Sequence, residues 1–402
     1  MNSGYSPRHS AGTVTAEAVT AQAGPTGQAI PAAPGGANRR LQIAIIAVAA
    51  AALVSIIVGL ALASRAPRVT TGSQPPRHHS SHQPSAATLP ASLTAPVTVA
   101  TLATPRYHLD EPSAVAVANG RLWVTNVAGD SVTRMVAATG RRPLSLAGSA
   151  YAFDGPNALA IGGGHVWVAN VPGNSVTELS LRSGAVIQVL YSDNGFASPY
   201  ALALAGNRLW VANAGNNSLT EINAATGGRI RTVSGPKYGF SNPSALAVSG
   251  AHLWVASPGN NSVTDVTVTT GALVARLSSG YSFNNPVALT VAGSSVWVAS
   301  ETGDAITQIS AATGKLTRVL TGRAYGLANP DALAAAGGAL WVANSRGDSL
   351  TEVDVASGQL VRVLTGSAYR FDYPAGVAAS GSYVWVTSTA NRVTRLELKA
   401  AS

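Results

Sequence analysis

Beyond residue 96 the sequence offers three histidines as candidates for chemistry, His108, His165 and His252. His108 stands beside Asp110 and Glu111, residue types that suit proton transfer or a metal, but the sequence supplies no further partner. His165 and His252 each precede a Trp by two residues, where equivalent segments carry Arg, Ser, Ala or Tyr. They therefore do not form a shared ligand set. The carboxylates are more suggestive. Asp110, Glu111, Asp154, Asp331 and Asp372 all fall within two residues of a recurring Pro, and Asn157 and Tyr200 occupy the position of Asp331 in their own segments. Gathered at one rim, these residues would suit a cation or a basic group. The alternative is that Asp beside Pro simply favours turns. No P-loop, dinucleotide fingerprint, HExxH or GxSxG stands in a supporting context, and no cofactor or metal centre is expected. The absence of Cys excludes disulfides, thiolate zinc sites and a cysteine nucleophile.

The elements that must position these residues repeat. All seven tryptophans, Trp123, Trp167, Trp210, Trp254, Trp297, Trp341 and Trp385, sit in one phrase of the form LWVAN, at intervals of 43 or 44 residues. Each interval holds four short β-like runs separated by Gly, Asn, Ser and Thr, as in PDALAAAG, ALWVAN, DSLTEVDV and QLVRVLTG. Four strands per repeat of about 44 residues is a blade of a β-propeller. After Trp385 the chain supplies only one further strand, whereas Val97–Leu102 supplies one too many at the start. Pairing that strand into the last blade closes a seven-bladed ring and hides two edges.

Recurring residues have scaffold reasons. A small residue falls two positions after each Pro (Ala114, Ala158, Ala201, Ala245, Ala288, Ala332 and Gly376), as crowding of seven inner strands at an axis requires. The Trp rings are expected to pack between blades. Gly129, Gly173, Asn216, Asn260, Gly303 and Gly347 share one loop position, which predicts a left-handed backbone there. Glu221 with Arg231, and Glu352 with Arg362, have the spacing of cross-strand pairs on exposed outer hairpins.

Residues 1–40 are rich in Ala, Gly, Pro, Ser and Thr and read as a disordered tail. Residues 41–64 carry no charge and, as a helix, would cover about 36 Å, enough for a hydrocarbon core. The long leader and long apolar run favour a retained membrane anchor over a cleaved signal peptide. Residues 65–96 read as a flexible stalk; its His78, His79 and His82 lack the oriented surroundings a metal needs. The formal charge of +9 divides between the flanks of the apolar run and a propeller with 20 basic against 16 acidic residues. Nucleic acid is not needed to explain it. A charged fraction of 11% suits stacked sheets and an apolar anchor.

The phrases LWVAN, NSVTELS and SGAVIQVL, preceded by Pro and an Ala-Leu-Ala strand, resemble the NHL and YVTN class of bacterial β-propellers. That group takes in virginiamycin B lyase and the external sensor domains of actinobacterial Ser/Thr kinases. The resemblance covers residues 96–402 and implies the propeller fold. For the lyase it implies opening of a cyclic depsipeptide by elimination, with Mg²⁺ and with His and Glu on one propeller face; no comparable pair appears here. For the kinase sensors it implies the order of span, stalk and propeller, although residues 1–40 are too short for a kinase. The expectation is an all-β chain: tail 1–40, transmembrane helix 41–64, stalk 65–96 and seven-bladed propeller 97–402. Its expected place is the cell membrane, single-pass, with the propeller extracytoplasmic. Its expected role is to bind a small ligand or an envelope protein without catalysis. A lyase-like or hydrolytic enzyme and a structural envelope protein are the alternatives.

Overall fold

A computed structural model describes residues 97–398, in seven four-stranded antiparallel sheets. The tail, the apolar run and the stalk lie outside the described residues. Among those that are described, no helix is long and apolar enough to cross a membrane. Each sheet runs from an inner strand through the Trp strand and a third strand to an outer one. In the second blade these are Pro156–Gly162, His165–Asn170, Ser175–Ser180 and Val186–Leu190. The Trp strands are buried over nearly their whole length because both faces of each sheet are covered, so they read as continuous apolar runs.

The ring closes through the N-terminal strand. Val97–Leu102 pairs antiparallel with Arg392–Leu398 and becomes the outer strand of the blade that begins at Pro374. All seven blades and both closing strands thus belong to one compact unit. The tryptophans tie neighbouring blades together. Trp210 packs on Leu253, Val255 and Val266 of the next blade, and Trp123 on Val166, Val168 and Leu179. At the closure Trp385 packs on Leu122, Val124 and Met135, and its Nε1–H donates to the Ala137 carbonyl at 3.1 Å. A buried Trp removes about 150–250 Å² from water, worth roughly 4–6 kcal/mol before ordering costs.

A second inter-blade device lies in the loops. The residue just before each third strand accepts the backbone N–H of the residue preceding the next blade's Pro. Asp130 does so from Gly155 at 2.9 Å, Asn174 from Ser198 at 2.6 Å, Asn217 from Asn242 at 2.7 Å and Asn391 from Glu111 at 2.8 Å. Both partners adopt positive φ, 43° at Asp130 and 54° at Asn217 and at Asn242, for example. The left-handed position therefore falls one residue later than the repeat suggests. Gly129 and Gly173 are small for another reason: a Cβ on either would lie 3.0 Å from the Cβ of Asp110 or Asp154.

The Glu221 and Glu352 pairs differ from expectation as well. The registers Glu221↔Arg231 and Glu352↔Arg362 are as the spacing requires. Glu221 is fully buried, however, held by Arg208 and by Arg231 Nε at 2.7 Å, and Glu352 is also buried, 2.5 Å from Arg362 Nε. Each carboxylate lies beside its Trp on the neighbouring strand, and the outer-strand Arg covers it. Spacing alone gives the pairing but not the layer above it.

The meander defines two ends. Loops after the Trp strands and the connections between blades lie at the mouth end, where each inner strand begins. Turns from inner to Trp strands, and from third to outer strands, lie at the opposite, turn end.

Candidate functional site

The inner strands surround a channel of about 520 Å³. Residues two and three positions after each Pro supply its wall: Ala or Gly, then Leu or Val, as in Ala332 and Leu333. Because those side chains are small and apolar, the residue directly after the Pro decides the chemistry. Blades three and six place Tyr200 and Asp331 there, and blade two places Asn157. The loop after the fifth Trp strand adds Glu301.

These groups form two arcs. On one side the Ser113 hydroxyl donates to Asn157 Oδ1 at 3.1 Å, and Asn157 is hydrogen-bonded to the Tyr200 phenol. On the other, Glu301 is fixed by two amides, Asn285 Nδ2 donating at 2.5 Å and Asn329 Nδ2 at 3.1 Å. Burial, followed by the negative charge of Glu301, pushes the Asp331 carboxyl up to about 7. Burial also raises Tyr200, and the charges of Asp331 and Glu301 raise it further. Tyr200 nevertheless remains 42% exposed. The two arcs therefore share one field. It is negative, and it opposes any further negative charge.

Of the residues expected at the rim, the channel wall gathers Asn157, Tyr200 and Asp331. His108, Asp110, Glu111, Asp154 and Asp372 stand instead on the mouth-end connections outside that wall. His108 and Glu111 adopt left-handed backbones, and Glu111 contributes its N–H to Asn391. Asp372 lies 4.0 Å from Arg392. His165 and His252 begin their strands at the turn end, with Nδ1 2.5 Å from Glu178 and 2.8 Å from Asp265. Burial raises Asp265 against the opposing pull of His252. Glu301 is the residue that the position after Pro does not reveal. Its signal is a break in the repeat, since Val127, Val171, Ala214, Pro258, Ser345 and Thr389 hold its place elsewhere.

The same ring occurs in solved structures. A catalytically inactive variant of Staphylococcus aureus virginiamycin B lyase, solved with quinupristin, superposes with a TM-score of 0.64 at 18% identity, covering 76% of this chain and 100% of that one. The chain has the fold of virginiamycin B lyase. A streptogramin B lyase structure gives a TM-score of 0.62 at 17% identity, covering 75% of this chain and 98% of that one. A computationally designed protein, Ika8, gives 0.55 at 16%, covering 72% and 83%. No family model and no curated protein sequence matches the chain.

The magnesium chemistry implied by a lyase-like site does not fit the residues present. The channel wall holds two carboxylates and no His, and Glu301 is already engaged by two amides. No cluster of three or more His, Asp and Glu able to hold a metal occurs among the described residues. What the arrangement can do is present one ionisable carboxyl, one phenol and one fixed carboxylate to a group entering between them.

Proposed function

We propose that the protein is a membrane-anchored, extracytoplasmic propeller that captures a ligand through a cationic group at its channel mouth, without turning it over. The observation that carries this reading is the convergence of Asp331, Glu301 and Tyr200 on a wall otherwise lined mainly by Ala, Leu and Val. Asp331 takes no hydrogen bond that would hold its charged form, and Glu301 opposes its ionisation. An ammonium or guanidinium placed between the two carboxylates would relieve both burdens. The apolar run 41–64 supports the anchor and the stalk supports projection of the ring from a surface.

A second reading rests on the same Asp331. A carboxyl near pH 7 also suits a general acid or base, so a lyase-like or hydrolytic activity is the rival. One experiment separates them. A chain of residues 86–402 is screened by thermal shift against benzylamine and benzyl alcohol, then incubated with a cyclic depsipeptide and Mg²⁺. Stabilisation by the amine alone, with intact depsipeptide, supports capture. Depsipeptide opening that disappears in Asp331→Asn would overturn it in favour of the enzyme.

A further inference from the structure

The turn end carries a charge pattern opposite to that of the mouth. In blades one and two it presents Arg121, Arg141, Arg142 and Arg182, in or next to the turns. The turn residues 119–120, 137–143, 163–164, 181–185, 206–207 and 224–228 contain no carboxylate at all. Arg141, Arg142 and Arg182 are exposed. They form one crescent because adjoining blades interlock there: Arg134 Nη1 donates to the Arg182 carbonyl at 3.1 Å across the boundary. Burial, followed by the nearby charge of Arg121, lowers Arg134. At the mouth end the loops carry Asp110, Glu111, Asp130, Asp154, Asp193, Asp304, Asp348 and Asp372 against Arg106, Lys237, Arg323, Arg346 and Arg370, a balance that is net negative.

The chain joins the ring at this basic end. The outer strand of each blade runs from the turn end to the mouth, so Val97, first in its strand and opposite Leu398, lies at the turn end. The 32 residues preceding the ring, 65–96, connect that point to the apolar run 41–64. An extended chain gains at most about 3.3–3.6 Å per residue, so the tether allows close approach without enforcing it. We propose that the arginine crescent of blades one and two docks on an anionic lipid surface, leaving the acidic channel mouth turned away from it. Arginine suits the task because its guanidinium pairs with phosphate in a bidentate manner, and basic clusters close to a membrane are held by the surface potential. Nucleic acid would share the phosphate chemistry, but the crescent lacks interleaved aromatic side chains on which bases stack.

The test uses residues 86–402, which contain the complete ring, so it depends neither on the span 41–64 nor on any channel ligand. The protein is sedimented with vesicles of phosphatidylcholine containing 30% phosphatidylserine, and with pure phosphatidylcholine, at about 0.1 M salt. Binding to the anionic vesicles alone is expected, weakening at least tenfold in the combined variant R141Q/R142Q/R182Q. The mouth-end variant D110N/D372N should bind as wild type. These side chains are exposed, and unchanged thermal unfolding establishes that the variants are folded. Equal binding to both vesicle types, no binding, or full binding by the triple variant overturns the proposal. So does preferential retention by duplex DNA when DNA and anionic vesicles compete.

Discussion

Asn391 accepts the backbone N–H of Glu111 at 2.8 Å, across the seam where the last blade meets the first. The same contact recurs between other consecutive blades, so the seam is held as the other boundaries are. Asn391→Gly keeps access to the left-handed backbone but removes the acceptor. It is expected to lower unfolding free energy by about 1 kcal/mol and to speed amide exchange at Glu111. Asn391→Asp, which retains the acceptor, should stay close to wild type. Denaturant unfolding and hydrogen exchange read both outcomes, and equal behaviour of the two variants contradicts the role.

Gly376 marks the one inner strand whose small residue is not Ala. A Cβ there would lie 2.4 Å from the Ser113 carbonyl oxygen, which already accepts the Thr387 hydroxyl at 2.6 Å. Gly376→Ala, although it restores the residue of the other blades, should destabilise the ring by about 1–3 kcal/mol. Ala332→Gly, the reverse change in the adjoining blade, should cost no more than about 1 kcal/mol. Thermal and chemical unfolding of the two variants check the order.

Glu221 is buried between Arg208 and Arg231, whose side chains are each about one-third exposed. Glu221→Ala leaves two cations facing one another without their anion. Because water screens the arginines, the expected loss is about 2 kcal/mol, below that of a fully buried pair. Glu397→Ala, a change in a half-buried surface carboxylate, serves as the comparison and should fall within about 0.5 kcal/mol of wild type. An equal effect of both substitutions would return Glu221 to the status of a surface charge.

Asp331 makes stability depend on pH in a definite direction. Its folded value of about 7 lies above the ordinary 3.8. Its favourable contribution is therefore fully present below about pH 4 and is lost as pH rises through 7. Asp331→Asn should be more stable than wild type at pH 8, by on the order of 1–2 kcal/mol once channel water is allowed for, and similar to it at pH 4. Melting of both proteins across that range reads the difference.

The seven blades were legible because each of their requirements is local and repeated: an apolar strand around Trp, a small residue near the axis, a Pro at the inner strand. The closing strand was legible because Val97–Leu102 is one run too many at one end and matches a deficit at the other. The channel chemistry was legible in part. Asn157, Tyr200 and Asp331 share a repeat position, whereas Glu301 reaches the same wall from a different loop, through amides of Asn285 and Asn329 that are distant in sequence. Asp110, Asp154 and Asp372 share a Pro with that position but precede it, and the chain turns between the two sites. The burial of Glu221 was hidden for a similar reason, because it depends on Arg208 and Arg231 folding over it from both sides.

The most direct test of capture at the channel mouth is calorimetric titration of residues 86–402 with benzylamine at pH 8 and pH 6. The amine stays protonated at both, while Asp331 passes from mostly ionised to mostly neutral around its value of about 7. Wild type should bind about tenfold more tightly at pH 8, following the ionised fraction of that one group, and Asp331→Asn should lose binding at both. Equal affinity at the two pH values, or undiminished binding by Asp331→Asn, would contradict the account.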